Sequence, residues 1–132
     1  MIKLEPRPLT LPDAFSFIRF VKETGLRQKI ADVLASGEMT QAIRSATDAD
    51  GNVNETSVGF GMFMLFGEEL ADAKVESGFY RFLAPILGAT EEDLKACELV
   101  DVIEAIFEAA TIERWKSFFT SASAMLALPS LT

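Results

Sequence analysis

Val58-Gly-Phe-Gly-Met-Phe-Met-Leu-Phe-Gly67 is the stretch whose reading decides the fold. It is apolar in every direction, so alternation cannot assign it to a half-buried strand. Continued through Glu68-Glu-Leu-Ala-Asp72 it is too long for a typical strand, and it predicts one helix from about Ser57 to Asp72. Gly59, Gly61 and Gly67 each weaken such a helix by ~1 kcal/mol. They also let another backbone come close. A helix with no polar face is either buried centrally or keeps one side for a partner, and both can hold on different faces.

Outward from this stretch the chain reads as helix throughout. Pro6 and Pro8 predict an extended lead over 1–9. Thr10 then caps a first helix, with Pro12 tolerated in the first turn and Asp13 at the third position of a capping box. Ala14, Phe17, Ile18 and Val21 recur at helical spacing as far as Gly25, flanked by Phe15 and Phe20. A second helix runs from about Leu26 to Ser36 on Leu26, Ile30, Val33 and Leu34, and Gly37 stops it. Residues 37–57 read as a flexible acidic loop in which Met39 to Ala46 form at most a turn or two of helix.

Beyond the central stretch, Val75 to Leu87 predicts a helix that Pro85 kinks or ends early and Gly88 closes. Thr90-Glu-Glu-Asp93 is a second capping box, opening a short helix anchored by Leu94. From Glu98, a helix carries Leu99, Val102, Ile103, Ile106 and Phe107 on one face, beside an acidic stripe of Glu98, Asp101, Glu104 and Glu108. Ile112, Trp115, Phe118, Phe119, Ala122 and Leu126 define the last helix, and residues 127–132 read as a loose tail. The expectation is an all-α, compact single-domain bundle of about five to seven helices spanning residues 1–132.

Composition narrows the function. Histidine is absent, which removes the commonest general base and metal ligand together. The one cysteine, Cys97, allows neither an internal disulfide nor a cysteine-built zinc site, and it reads as a small core residue. Asp48-Ala-Asp50-Gly-Asn52 matches the first half of an EF-hand loop, but Val53 stands where the sharp turn needs glycine. Gly59 likewise stands where a bidentate glutamate belongs. Glu68/Glu69 and Glu91/Glu92 are adjacent in sequence, so on a helix they diverge as parts of a solvated face. No catalytic residue, metal ligand or cofactor-binding motif is nominated, and the chain is expected not to be an enzyme.

Charge points the same way. The net charge is −8, distributed as seven basic and five acidic groups in residues 1–44 (+2), against five basic and fifteen acidic groups in residues 45–132 (−10). An acidic surface repels phosphate backbones and suits a basic protein partner. Nucleic acid is not an expected partner. The charge-free stretches 56–67 and 117–132 fall short of the ~18 apolar residues that read as a membrane span, and the start shows no apolar signal region. No membrane partner is expected.

What remains is packing surface: eleven Phe set against one Trp and one Tyr, with five Met. Phe and Met make adaptable surfaces for holding apolar helices. The residues expected to meet a partner are Phe60, Phe63 and Met64 on the central helix and Trp115, Phe118 and Phe119 on the last.

The order of these features resembles the small tail assembly chaperones of long-tailed bacteriophages and prophages. The resemblance spans roughly residues 8–126. It rests on Leu11-Pro-Asp-Ala-Phe15, the two-helix opening, a variable acidic middle and the Gly-Phe-Met-rich helix. Phe79-Tyr-Arg-Phe-Leu83, the Gly88-Ala-Thr90-Glu-Glu-Asp93 step and Trp115-Lys-Ser-Phe-Phe119 complete it. The Asp48–Glu55 loop has no counterpart in that pattern. The resemblance implies a chaperone that coats the tape measure protein and keeps it soluble while tail tube subunits polymerise around it. It implies the tape measure protein as partner, the tail tube protein as a further one, and self-association. It also implies the cytoplasm of the infected or lysogenic host cell as location, and absence from the mature virion. Residues 117–132 would then be an exposed junction. The competing expectation is a generic acidic helical interaction module, or a regulator that binds a basic protein.

Overall fold

A computed structural model describes residues 3–126 and is all-α. Among these residues it contains nine helices: α1 Leu11–Thr24, α2 Arg27–Ser36, α3 Glu38–Ser45, α4 Glu55–Leu65, α5 Gly67–Leu70, α6 Ala73–Leu87, α7 Glu91–Ala96, α8 Leu99–Ala109 and α9 Ile112–Met125. The number exceeds the expected five to seven for two local reasons. Glu38–Ser45 is a separate helix of 8 residues where a loop with a turn or two of helix was expected, and the central helix breaks at Phe66, leaving Gly67–Leu70 as a separate turn. Phe66 sits at φ −110° and ψ 15°, off helical geometry, next to a glycine with open space where a Cβ would be. The glycine's low helix propensity is not repaid there by close packing.

The core lies among α1, α2, α6, α7, α8 and α9. Phe17 and Val21 of α1, Phe82, Leu83, Ile86 and Leu87 of α6, and Trp115 and Ala122 of α9 belong to one buried cluster. Phe17 is its aromatic hub, with ring centroids 5.6 Å from Phe82 and 5.2 Å from Phe119. The periodicity of α1 decides this placement. Ala14, Phe17 and Val21 are buried, while Phe15, off the stripe, is exposed.

α6 runs through Pro85 to Leu87 without stopping early. Proline costs a helix its own N–H and crowds the preceding turn. Here it stands in the last turn, and the extended lead satisfies the orphan carbonyls beyond it. The amides of Glu5 and Arg7 donate to Leu87 O (2.8 Å) and Ile86 O (2.9 Å). Gly88 makes this possible. Its φ is +65°, and a Cβ there would lie 2.5 Å from Glu5 O.

The lead is fixed at its other end by Asp13. This buried carboxylate takes a bidentate pair from Arg7 (2.8 Å on each oxygen) and accepts from the Thr10 amide at 2.8 Å. Burial pushes its pKa up, but the hydrogen bonds from Arg7 and Thr10 together outweigh that and hold it below the ordinary Asp range.

The segment between α3 and α4 is closed rather than loose. Thr47 and Val53 form an isolated antiparallel bridge, and the Asn54 amide donates to Ala46 O at 2.8 Å. The Asp48 carboxylate accepts from the amides of Asp50 and Asn52, both at 2.9 Å, so the half EF-hand sequence serves as a turn. Among the described residues no group of three or more His, Cys, Asp or Glu side chains converges, and no helix is long and apolar enough to cross a membrane. The expected loose tail, 127–132, lies outside the described residues.

Candidate functional site: the α4 layer and the cavity beneath it

α4 is where the structure departs from simple burial. Of its residues only Val58 and Gly59 are buried, although the helix is apolar all round. α4 is therefore not the central helix of the bundle. It packs against both α3 and α8, and Gly59 sets the approach to α8, since a Cβ there would meet Ile103 Cγ2 at 2.5 Å. Gly61 faces Ala42 of α3, with 3.4 Å to the methyl from the position a Cβ would take. Two of the three glycines thus serve close packing, as their positions on a helix suggested; Gly67 does not.

The six expected partner residues divide. Phe60 and Met64, one turn apart, form an outward ridge at 39% and 82% exposure. Phe63 turns inward and packs edge-on against Phe79 of α6, with centroids 5.6 Å apart. Trp115 is inside the bundle at 6% exposure, and its indole N–H donates to Ile106 O at 2.9 Å. That bond satisfies one of the free carbonyls in the last turn of α8. Phe118 and Phe119 are half-buried against the same core, in contact with Trp115 at 5.7 and 5.5 Å. The reading of the last helix as an open aromatic face is thus corrected. Glu113, Ser121 and other polar positions give α9 a solvent side, so its aromatic side points to the core. Residues 117–125 likewise belong to α9, which Leu126 caps and which packs through Phe118, Phe119 and Ala122, so this part of the stretch is not an exposed junction.

Between the α3–α4 layer and the bundle lies a partly open apolar cavity of about 260 Å³. Its lining includes Phe17 and Phe82 from the bundle, Ile43 of α3 and Met62 and Phe63 of α4, and no polar atom contributes to its surface. Native interiors hold few voids larger than a water molecule. A pocket of this size with a wholly apolar wall leaves its lining side chains without packing partners on one side. The lining residues are scattered from Phe17 to Ser123, so no local pattern could have announced the cavity.

The acidic stripe of α8 is present as read: Glu98, Asp101, Glu104 and Glu108 are all exposed. Glu104 and Glu108 meet Glu55 of α4 along a shallow groove at the α4–α8 seam. Leu99, expected on the apolar face, is instead exposed in the first turn of α8. Glu69 separates from Glu68 by turning toward Lys29, at 3.6 Å. Cys97 packs against the core as a half-buried residue, at the end of α7 and not within a helix. Burial, then the carboxylates of Asp101 and Asp93, push its thiol pKa up, the reverse of what an activated thiolate needs.

Comparison of the chain with protein-family models, curated proteins and solved structures finds no match.

Proposed function

We propose that this chain is a tail assembly chaperone of a long-tailed bacteriophage or prophage, holding the tape measure protein soluble while tail tube subunits assemble. The observation that carries the reading is the α4 ridge. Phe60 and Met64 stand exposed on a helix with no polar face, above an apolar layer. An apolar client helix laid along this ridge buries its own side chains against Phe and Met, whose adaptable packing suits a client that must later be released. The acidic stripe on α8 keeps the loaded complex soluble and faces basic segments of the client or of the tail tube protein. The work is done in the cytoplasm of the host cell, and the chaperone does not remain in the virion. Self-association through the same ridge shields it when no client is present.

The test is co-expression with a tape measure protein. The wild-type chain brings the client into the soluble fraction and co-elutes with it, while a Phe60→Ser, Met64→Ser variant of unchanged helicity does not. A client that stays insoluble beside a well-folded wild-type chain refutes the reading. The α4–α8 groove lined by Glu55, Glu104 and Glu108 favours a second reading, an acidic adaptor for a basic protein. Binding that survives the ridge variant but disappears in Glu104→Lys, Glu108→Lys supports that adaptor.

A further inference from the structure

We infer that the cavity beneath α4 is a binding site for a small, uncharged apolar molecule of one or two aromatic rings. The size is the first ground. About 260 Å³ exceeds the 150 Å³ at which an engineered apolar cavity stays dry and takes up benzene. The chemistry of the wall is the second. No polar atom contributes to the surface, so a ligand carrying a charge or a hydrogen-bonding group would leave that group unpaired. Water gains no hydrogen bond from this wall, so an apolar ligand displaces it without loss of a polar contact.

The third ground is aromatic geometry. Phe17, Phe20, Phe63, Phe79, Phe82 and Phe119 all contribute to the wall. Phe63 and Phe79 meet edge to face at 71°, and Phe17 and Phe119 at 61°. Rings at these angles offer both edges and faces to an inserted ring, the arrangement aromatic pairs prefer. The wall is also shared between two layers. Ile43 and Met62 close the cavity from the α3–α4 side, and Ile30 and Phe82 from the bundle. A ligand therefore supplies the packing contacts that each layer lacks from the other. This site is separate from the outward ridge of Phe60 and Met64, neither of which lines it.

Benzene and naphthalene are the probes, with benzoate as the charged comparator. Methyl resonances of Ile43, Val58 and Ile103 are followed during titration of the full chain, together with the unfolding temperature. The expected result is saturable shifts at those methyls and a rise in Tm of about 4 °C or more at saturating benzene, with no shift from benzoate. A cavity-filling Ile43→Phe variant raises Tm in the absence of ligand and abolishes the methyl shifts. Absence of saturable shifts in the wild type overturns the inference, because the two layers then close on each other in solution. Equal shifts with benzoate overturn it too, since the wall would then tolerate charge. Should Ile43→Phe fail to fold, the wild-type titration decides alone.

Discussion

α4 and α9 are both rich in aromatic residues, yet they do opposite things with them. α9 sends Trp115, Phe118 and Phe119 toward Phe17 and Phe82, and it keeps Glu113, Arg114, Ser117 and Ser121 for solvent. α4 has no such division, so no rotation about its axis can bury all of its apolar surface against a single neighbouring layer. It settles with Gly59 against Ile103 and leaves Phe60 and Met64 outside. Aromatic density therefore does not predict burial. The contrast between the two sides of a helix does.

The comparison breaks most visibly at Trp115. Trp115→Ala removes the side chain that both fills the core and donates to Ile106 O, and it is expected to cost about 3–5 kcal/mol in urea unfolding. A loss below about 1 kcal/mol would return the α9 face to the surface. Next is the α4–α8 seam. Gly59→Ala places a methyl where Ile103 Cγ2 stands and is expected to cost about 1–3 kcal/mol, with amide exchange rising in α3 and α4 before the bundle. Uniform exchange across the chain would show that the two layers unfold as one.

A third expectation concerns acid. The folded pKa of Asp13 is depressed, so its contribution to stability is complete above the unfolded value near 3.8 and is lost as pH falls through the lower folded value. Unfolding followed from neutral pH to about pH 2 shows this loss in the wild type and a flatter profile in Asp13→Asn. An unchanged profile in the variant would mean that the Arg7–Asp13 pair does not anchor the lead. The smallest stability effect belongs to the ridge. Met64→Ser shifts stability by no more than about 0.5 kcal/mol while client solubilisation falls. A larger shift would place the ridge in the core and align α4 with α9.

The helices legible in the sequence were those with a stripe and a stop signal. α1 with Thr10, Asp13 and Gly25, α2 with Gly37, and α7 with its Thr90/Asp93 box all stand where spacing and capping put them. α3 was less legible. It buries none of its residues, and its one-sided pattern spans only Glu38–Ser45, too little to separate from a polar loop by periodicity. Of the candidate site, Phe60 and Met64 were legible as members of an apolar helix, but nothing distinguished them there from Phe63, which packs on Phe79.

Composition and periodicity by themselves determined an acidic all-α chain, the start and stop of most helices, and a surplus of Phe and Met beyond any polar chemistry. Those properties depend on each residue and its neighbours within a few positions. Which aromatic face turns inward, how closely α4 approaches α8, and the partly open cavity of about 260 Å³ were decided by tertiary structure alone. Each arises from residues far apart in the chain meeting in space: Gly59 against Ile103, Gly88 against Glu5, and Phe17 against Phe119. Packing is a property of pairs, and local sequence specifies only their members.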